Sequence, residues 1–264
     1  MQKDEIFLTG QHKVGSFEFN QDVARVFDDM VDRSIPSYHE IHRMLLDIFS
    51  RLPALRSEEK IVITDLGCST GSTIKILATY LDQLGKDYEI IGIDQSRPMI
   101  EQAQLKFTES QSSKIQFICD SIQNVKIPKS HFIVMNYTLQ FIKMSDRPHM
   151  VREIYKSLED RGYFLLSEKI HTDDPIFEEM YVDLYYDFKR RNGYSELEIA
   201  QKREALENVL IPMTPRQLLE LMQSSGFQNV EMLFRWYNFA SFIGVKSGNH
   251  PGLPEGPSTS QWLH

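Results

Sequence analysis

Apolar positions along the chain switch repeatedly between a period of two and a period of three to four. Residues 61–63 (Ile, Val, Ile) form a short β-rich run that ends at Asp65 and enters the small-residue turn Gly67-Cys68-Ser69-Thr70-Gly71. Beyond it, Ile74, Leu77, Ala78 and Leu81 fall at helical spacing. Residues 88–94 read as a second strand, ending in Asp94, and Ser96 with Pro98 starts a helix. Residues 115–119 read as a third strand, ending before Asp120. Residues 132–141 predict a fourth buried strand that turns polar at Asn136. Residues 146–158 predict a helix, Asp160-Arg161-Gly162 a turn, and residues 163–168 a fifth strand. Residues 230–237 and 239–246 read as a closing antiparallel hairpin around Asn238. This alternation predicts an α/β fold with a seven-stranded, mostly parallel sheet.

Two helices precede the first strand. One is expected over residues 21–32, burying Val23, Val26, Phe27 and Met30. Pro36 breaks the chain, and Ser37 with Glu40 reads as a capping box for a helix carrying Ile41, Met44, Leu45, Ile48 and Phe49. Phe7, Phe17 and Phe19 are expected to dock onto the body. Residues 170–213 exceed an ordinary crossover and predict a helical insertion. Its first helix starts at Asp174-Pro175, carries Phe177, Tyr181, Leu184 and Phe188 as its apolar face, and stops at Asn192-Gly193. Ser195 and Glu198 form a second capping box. One domain is thus expected over residues 1–246, followed by a Gly-, Pro- and Ser-rich mobile tail over 247–264.

Composition narrows the class. The chain has 264 residues, a formal net charge of −8 and 41% apolar residues, which suits a soluble globular protein and argues against direct nucleic-acid binding. No apolar run reaches the length of a membrane span, and M-Q-K-D-E-I-F lacks a signal-peptide core, so the cytoplasm is the expected compartment. The two cysteines, Cys68 and Cys119, imply neither a disulfide framework nor a metal site.

Strand, glycine turn and helix together suit a nucleotide-type ligand, because glycine lets backbone approach where a Cβ would clash. The turn is neither a G-K-[ST] phosphate loop nor a strict G-x-G-x-x-G. Asp94 follows Gly71 at about the spacing at which a second-strand acid reaches a ribose diol. Asp65, Asp94 and Asp120 each end a strand. Asp65 would stay near the ligand's amino end, Asp94 would take the ribose, and Asp120 would lie near an adenine amino group. The competing account makes each a helix cap or a solvated loop end. Tyr38, just after its cap, is a candidate lid residue or simply a surface-to-core tyrosine. In the second insertion helix, Arg203 shares a face with Ile199, Leu206 and Leu210. A charge there needs a partner: an internal ion pair, a snorkelling stem or an anionic ligand.

D-L-G-C-S-T-G, residues 65–71, resembles motif I of the class I S-adenosylmethionine (SAM)-dependent methyltransferases. A narrower resemblance lies in R-S-I-P-S-Y at 33–38, N-Y-T-L-Q-F at 136–141 and L-S-E-K at 166–169. It continues in D-F-K-R-R-N-G-Y-S-E-L-E-I at 187–199, Q-K-R at 201–203 and L-E-N-V at 206–209. Over residues 17–246 the chain resembles the carboxy-S-adenosyl-L-methionine synthase family. That resemblance implies the Rossmann-like class I methyltransferase fold and the conversion of SAM and prephenate to carboxy-SAM and phenylpyruvate. The product supplies a carboxymethyl donor for wobble-uridine modification in tRNA. It also implies a homodimer, for which the aromatic cluster Tyr181, Tyr185 and Tyr186 offers anchors if it does not pack on the chain's own sheet.

By the same resemblance, SAM contacts fall on Tyr38, Gly67, Cys68, Ser69, Asp94, Gln95, Asp120, Ser121 and Asn136, and Arg203 meets the new carboxylate. Gln95 stands where asparagine is usual, and Ser121 where an aliphatic residue follows the acid. The implied chemistry joins carbon dioxide, released as prephenate aromatises, to the deprotonated methyl carbon of the sulfonium. That demands a site closed to water and a guanidinium for the product carboxylate. Lys189, Arg190, Arg191 and Arg235 are candidates for prephenate's carboxylates, though for the first three a solvated helix end is the stronger reading. Three other functions use the same first half of the chain: an ordinary small-molecule methyltransferase, a carboxy-SAM synthase of a natural-product pathway, and a SAM-binding regulator without turnover.

Overall fold

The computed structural model describes Asp4, Ile6 and residues 18–57, 59–206 and 209–248. Phe7, Phe17 and, from residue 249, the expected mobile tail lie outside them. Seven strands form one sheet in the order β3-β2-β1-β4-β5-β7-β6. They are β1 (Ile61–Leu66), β2 (Tyr88–Asp94), β3 (Ile115–Cys119), β4 (Ser130–Asn136), β5 (Leu158–Lys169), β6 (Asn229–Trp236) and β7 (Phe239–Val245). β1 to β5 pair in parallel, and β7 pairs antiparallel with both β5 and β6. The alternation of strand and helix and the closing hairpin are therefore as expected.

The continuous apolar runs of the central strands follow from burial on both faces. In β4, Ile133 and Met135 point into one core layer with Phe164 and Phe227. Phe132 and Val134 point into the other, with Ile63, Leu77 and Phe49. Helices α1 (Gln21–Ser34) and α2 (Tyr38–Phe49) precede the sheet. α3 (Ser72–Gln83), α4 (Arg97–Gln104), a short α5 (Glu109–Ser112) and α6 (Arg147–Ser157) serve the crossovers. α7 (Pro175–Arg191) and α8 (Glu196–Leu206) make the insertion. α9 (Pro215–Ser224), with a Thr214–Gln217 capping box, is not among the expected elements.

Several local expectations need correction. Ser37 does not cap α2. Its backbone is left-handed (φ 57°), so its hydroxyl makes no capping bond, whereas a capping side chain needs an extended backbone to reach the first free N–H groups. Glu40 instead pairs with Arg43 on the surface. The fourth strand ends at Asn136, because Tyr137 takes a left-handed turn (φ 56°) and residues 139–141 form a 3₁₀ turn. The expected turn at 160–162 lies within β5, where Arg161 and Gly162 exchange backbone bonds with Lys246.

The insertion's inner faces are rotated from the expected ones. On α7 the buried side chains are Tyr185 and Lys189, while Phe177 is exposed. On α8 they are Glu198, Ile199, Lys202 and Ala205, and Arg203 is exposed. Arg203 therefore does not lie on a buried apolar face; Lys202 is the buried cation, because Ser34 and Asp4 meet it there. The Ser195–Glu198 box and the Asp174 cap form as expected.

Candidate functional site

Strand order places the site. The connections from β1 run outward to β2 and β3 on one side and to β4 and β5 on the other, which opens a crevice at the carboxyl ends of the strands. A cavity of about 470 Å³ occupies it, roofed by α1 and by the α7–α8 insertion. Phe19, Phe27, Met30 and Ser34 line it from the N-terminal side, and Phe19 packs edge-on against Phe141. Of the three N-terminal phenylalanines, Phe19 thus docks as expected.

The glycine turn forms the floor. Gly67 has φ +78°, and a Cβ added there would lie 2.1 Å from Oγ1 of Thr138. The N–H groups of Gly67 and Cys68 both donate to the carbonyl of Ile93, which ties the turn to β2. Asp28 of α1 reaches over to accept from Thr70 (2.6 Å) and Ser72 (3.1 Å), with Lys106 at 2.6 Å as counter-ion. Helix α1 is thereby pinned as a roof on the turn.

Asp94 accepts from the backbone N–H of Ser69 (2.9 Å) and Ser96 (2.8 Å), one to each oxygen. Each oxygen keeps a second lone pair toward the cavity. Burial raises its pKa, and those two bonds work against the rise. Asp65, 2% exposed, is pushed up to about 7 by burial and then by the charge of Asp94. An arriving cation would favour its ionised form. Asn136 leaves its side-chain oxygen buried without a donor. Tyr38 lines the cavity, edge-on to His42 at 4.5 Å.

Tyr38, Asp65, Gly67, Cys68, Ser69, Asp94, Gln95, Ser121, Asn136 and Arg203 all border this one cavity. Asp120 does not. It is exposed and accepts from the N–H of Ser121 (2.7 Å) and the amide of Asn124 (3.0 Å). The loop after β3 folds back onto this strand-end acid, and Ser121, Ile122 and Gln123 line the cavity next to it. Among the four cations proposed for a second substrate, only Lys189 lines it. Arg190 pairs on the surface with Asp187 and Glu196, Arg191 is exposed, and Arg235 lies outside over the Tyr181 ring.

Several lining residues lie within the motifs quoted above but are not singled out there as site residues: Lys169, Lys202, Tyr137 and Thr138. Lys202 could have been found, since it lies three residues after Ile199 on the same helical face. Tyr185 packs on Phe239 (5.1 Å) and Tyr181 stacks on Tyr237 (6.0 Å). Those two anchors therefore serve the chain's own hairpin, and Tyr185 lines the cavity. Among the described residues, no group of three or more His, Cys, Asp or Glu side chains comes together as a metal would require, and no helix is long and apolar enough to cross a membrane.

The comparisons agree with this geometry. The profile of a methyltransferase domain family matches residues 63–162. A carboxy-S-adenosyl-L-methionine synthase from Nautilia profundicola is 44% identical over 92% of this chain and all of its own length. Another, from Haemophilus ducreyi, is 39% identical over 93% of this chain and 99% of its own length. A Methanococcus maripaludis protein, described as a SAM-dependent methyltransferase, shares the fold at a TM-score of 0.57 and 17% identity. That match covers 92% of this chain and 100% of the other.

Proposed function

The chain belongs to the carboxy-S-adenosyl-L-methionine synthase family, and on that basis we propose that it makes carboxy-SAM from SAM with prephenate as the carboxyl source. It is an enzyme of the SAM-dependent methyltransferase superfamily, and SAM is its cofactor and co-substrate. The observation that carries the finer reading is the sorting of charge within one roofed cavity. Asp65 and Asp94 border it together with Lys169, Lys189, Lys202 and Arg203. A cationic sulfonium ligand suits the carboxylates, and an anionic partner suits the lysines and the arginine.

SAM fits the residues present. The Gly67 turn leaves room that a Cβ would fill, Asp94 has lone pairs for two ribose hydroxyls, and the orphan oxygen of Asn136 can accept from the ammonium group. Tyr38, Cys68, Ser69, Gln95 and Ser121 complete the contacts. The overall reaction moves a carboxylate from prephenate to the methyl carbon of SAM. The methyl group loses a proton and prephenate loses hydroxide, which together leave as water, and the aromatised remainder is phenylpyruvate. The roof formed by α1, α7 and α8 covers part of the cavity, and the exchange requires that bulk water be kept from it.

The purified protein, incubated with SAM and prephenate, should yield a product heavier than SAM by one carbon dioxide, together with phenylpyruvate, by mass spectrometry. Absence of both would overturn prephenate as carboxyl source. We further place the enzyme in the cytoplasm, where its product would serve tRNA wobble-uridine modification.

A homodimer is part of this proposal. Ile176, Phe177 and Met180 of α7 and Trp236 of β6 are exposed apolar side chains, and apolar anchors of this kind carry protein interfaces. Light scattering at micromolar concentration should report twice the chain mass of 30.8 kDa. A monomeric mass would count decisively against the dimer.

A further inference from the structure

One end of the cavity carries more positive charge than the fold can use. Lys189 is 4% exposed and Lys202 6%, and Lys169 closes β5 beside them. Lys202 has protein partners: the Ser34 hydroxyl at 2.9 Å and Asp4 at 3.9 Å. Lys189 has no such partner. Among the described residues its ammonium meets only the Tyr185 ring, at 4.6 Å, and Lys169 sits over the same ring at 5.2 Å. The mutual repulsion of the three lysines adds to burial in holding Lys189 well below the usual lysine pKa. Like charges desolvated together cost stability unless an anion joins them. Beside them, the hydroxyl of Tyr137 is buried without a hydrogen-bond partner, on a residue held in the left-handed backbone region at φ 56°. A strained tyrosine that lines a cavity and buries an unpartnered hydroxyl fits a ligand position.

The charges are segregated. The carboxylates that act on Lys169 and Lys202 are Glu178, Asp4, Glu198 and Asp29, whereas Asp65 and Asp94 act on each other's neighbourhood at the glycine turn. Neither Asp65 nor Asp94 is among the charges that act on Lys169, Lys189 or Lys202.

We propose that Lys169 and Lys189, with the hydroxyl of Tyr137 and the ring of Tyr185, form the seat of the second substrate, a dicarboxylate that gives one carboxylate to each of the two lysines. The inference rests on the reaction proposed above for the same cavity. Asp4 already answers the charge of Lys202, which leaves two ammonium groups for two carboxylates. Arg203, which borders the same cavity from α8, keeps the role proposed for it at the carboxylate formed in the reaction. Tyr185 and Phe239 give the six-membered ring of prephenate an apolar wall.

Lys189→Met tests this, because it keeps the stem and removes only the charge. Prephenate KM should rise roughly ten- to hundredfold, as for loss of a charge-assisted bond. SAM affinity should stay within about twofold, and Lys189→Arg should recover part of the KM. The melting temperature should hold or rise, since a buried, repelled charge is gone. Lys169→Met should show the same split. An unchanged prephenate KM in a folded Lys189→Met would overturn the seat while leaving the reaction standing, and so would a fall in melting temperature with SAM affinity lost in parallel. Should wild type make no carboxy-SAM, the proposed reaction falls, and calorimetric titration of prephenate into protein loaded with S-adenosylhomocysteine decides the seat. Binding that Lys189→Met abolishes supports it; absent binding, or equal binding in both proteins, overturns it.

Discussion

Gly67→Ala should abolish SAM binding and lower the melting temperature. Two separate costs act at this position. The backbone is left-handed at φ +78°, which costs a residue with a Cβ about 1–2 kcal/mol. The new methyl would also lie 2.1 Å from Oγ1 and 2.6 Å from Cγ2 of Thr138, and overpacking of that kind costs about 1–3 kcal/mol. Thr138 cannot retreat freely, because its hydroxyl donates to the carbonyl of Asn136 at 3.1 Å and the chain on either side is fixed. The N–H of Leu139 donates to the buried carboxyl of Glu168 at 3.0 Å. Arg147 donates to the carbonyls of Gln140 and Ile142. Relief therefore has to come from the glycine turn itself, which carries the N–H of Ser69 that holds Asp94. Calorimetry with SAM and a thermal melt check both parts. Pairing the change with Thr138→Ala, which removes the two nearest atoms and leaves Cβ at 2.9 Å, should restore some binding. Wild-type SAM affinity in the single variant would show that the turn does not cradle the ligand.

The parts of this site readable in the sequence were those written as local chemistry. β1, the glycine turn and Asp94 lie close together along the chain, so period, turn residues and a strand-end acid sufficed to find them. Asp120 has the same signature, yet it stands outside the cavity lining. Whether a strand-end acid faces the ligand depends on where the following loop returns, and here Asn124 and the N–H of Ser121 take the carboxylate. Lys189 reads as one of four candidate cations and Lys202 is not singled out, for a different reason. Periodicity assumes that the buried face is the apolar one, yet α7 and α8 turn lysines inward: Lys189 meets the ring of Tyr185 one turn earlier on its own helix, and Lys202 meets Ser34 and Asp4 from distant parts of the chain. Tyr137 was passed over as a strand residue, and its left-handed turn has no glycine or asparagine to announce it. Such positions, where local rules are broken, are where ligand sites are expected.

Arg203→Ala should leave SAM affinity nearly unchanged and remove most of the carboxy-SAM synthesis. Arg203 borders the cavity and is exposed, and its truncation opens no cavity in the core, so the variant should stay folded in a thermal melt. The buried cation of α8 is its neighbour Lys202, which keeps its bonds to Ser34 and Asp4 in the variant. Loss of activity without loss of fold can then be read as chemistry. SAM itself has no carboxylate on its methyl carbon, so a guanidinium aimed there gives little to ground-state binding. Once the carboxylate forms, a planar fork of donors can hold it bidentately. Removing a charge-assisted bond of that kind costs about 1.5–3 kcal/mol, or roughly ten- to hundredfold in rate where it is already made in the transition state and absent from the ground state. Arg203→Lys should recover little, because a point charge lacks the fork. SAM affinity by calorimetry, initial rates by mass spectrometry and a melt of each variant separate the cases. A folded Arg203→Ala that makes carboxy-SAM at the wild-type rate would remove the arginine from the reaction. A variant that loses SAM binding in the same proportion as rate would place it among the contacts to SAM instead.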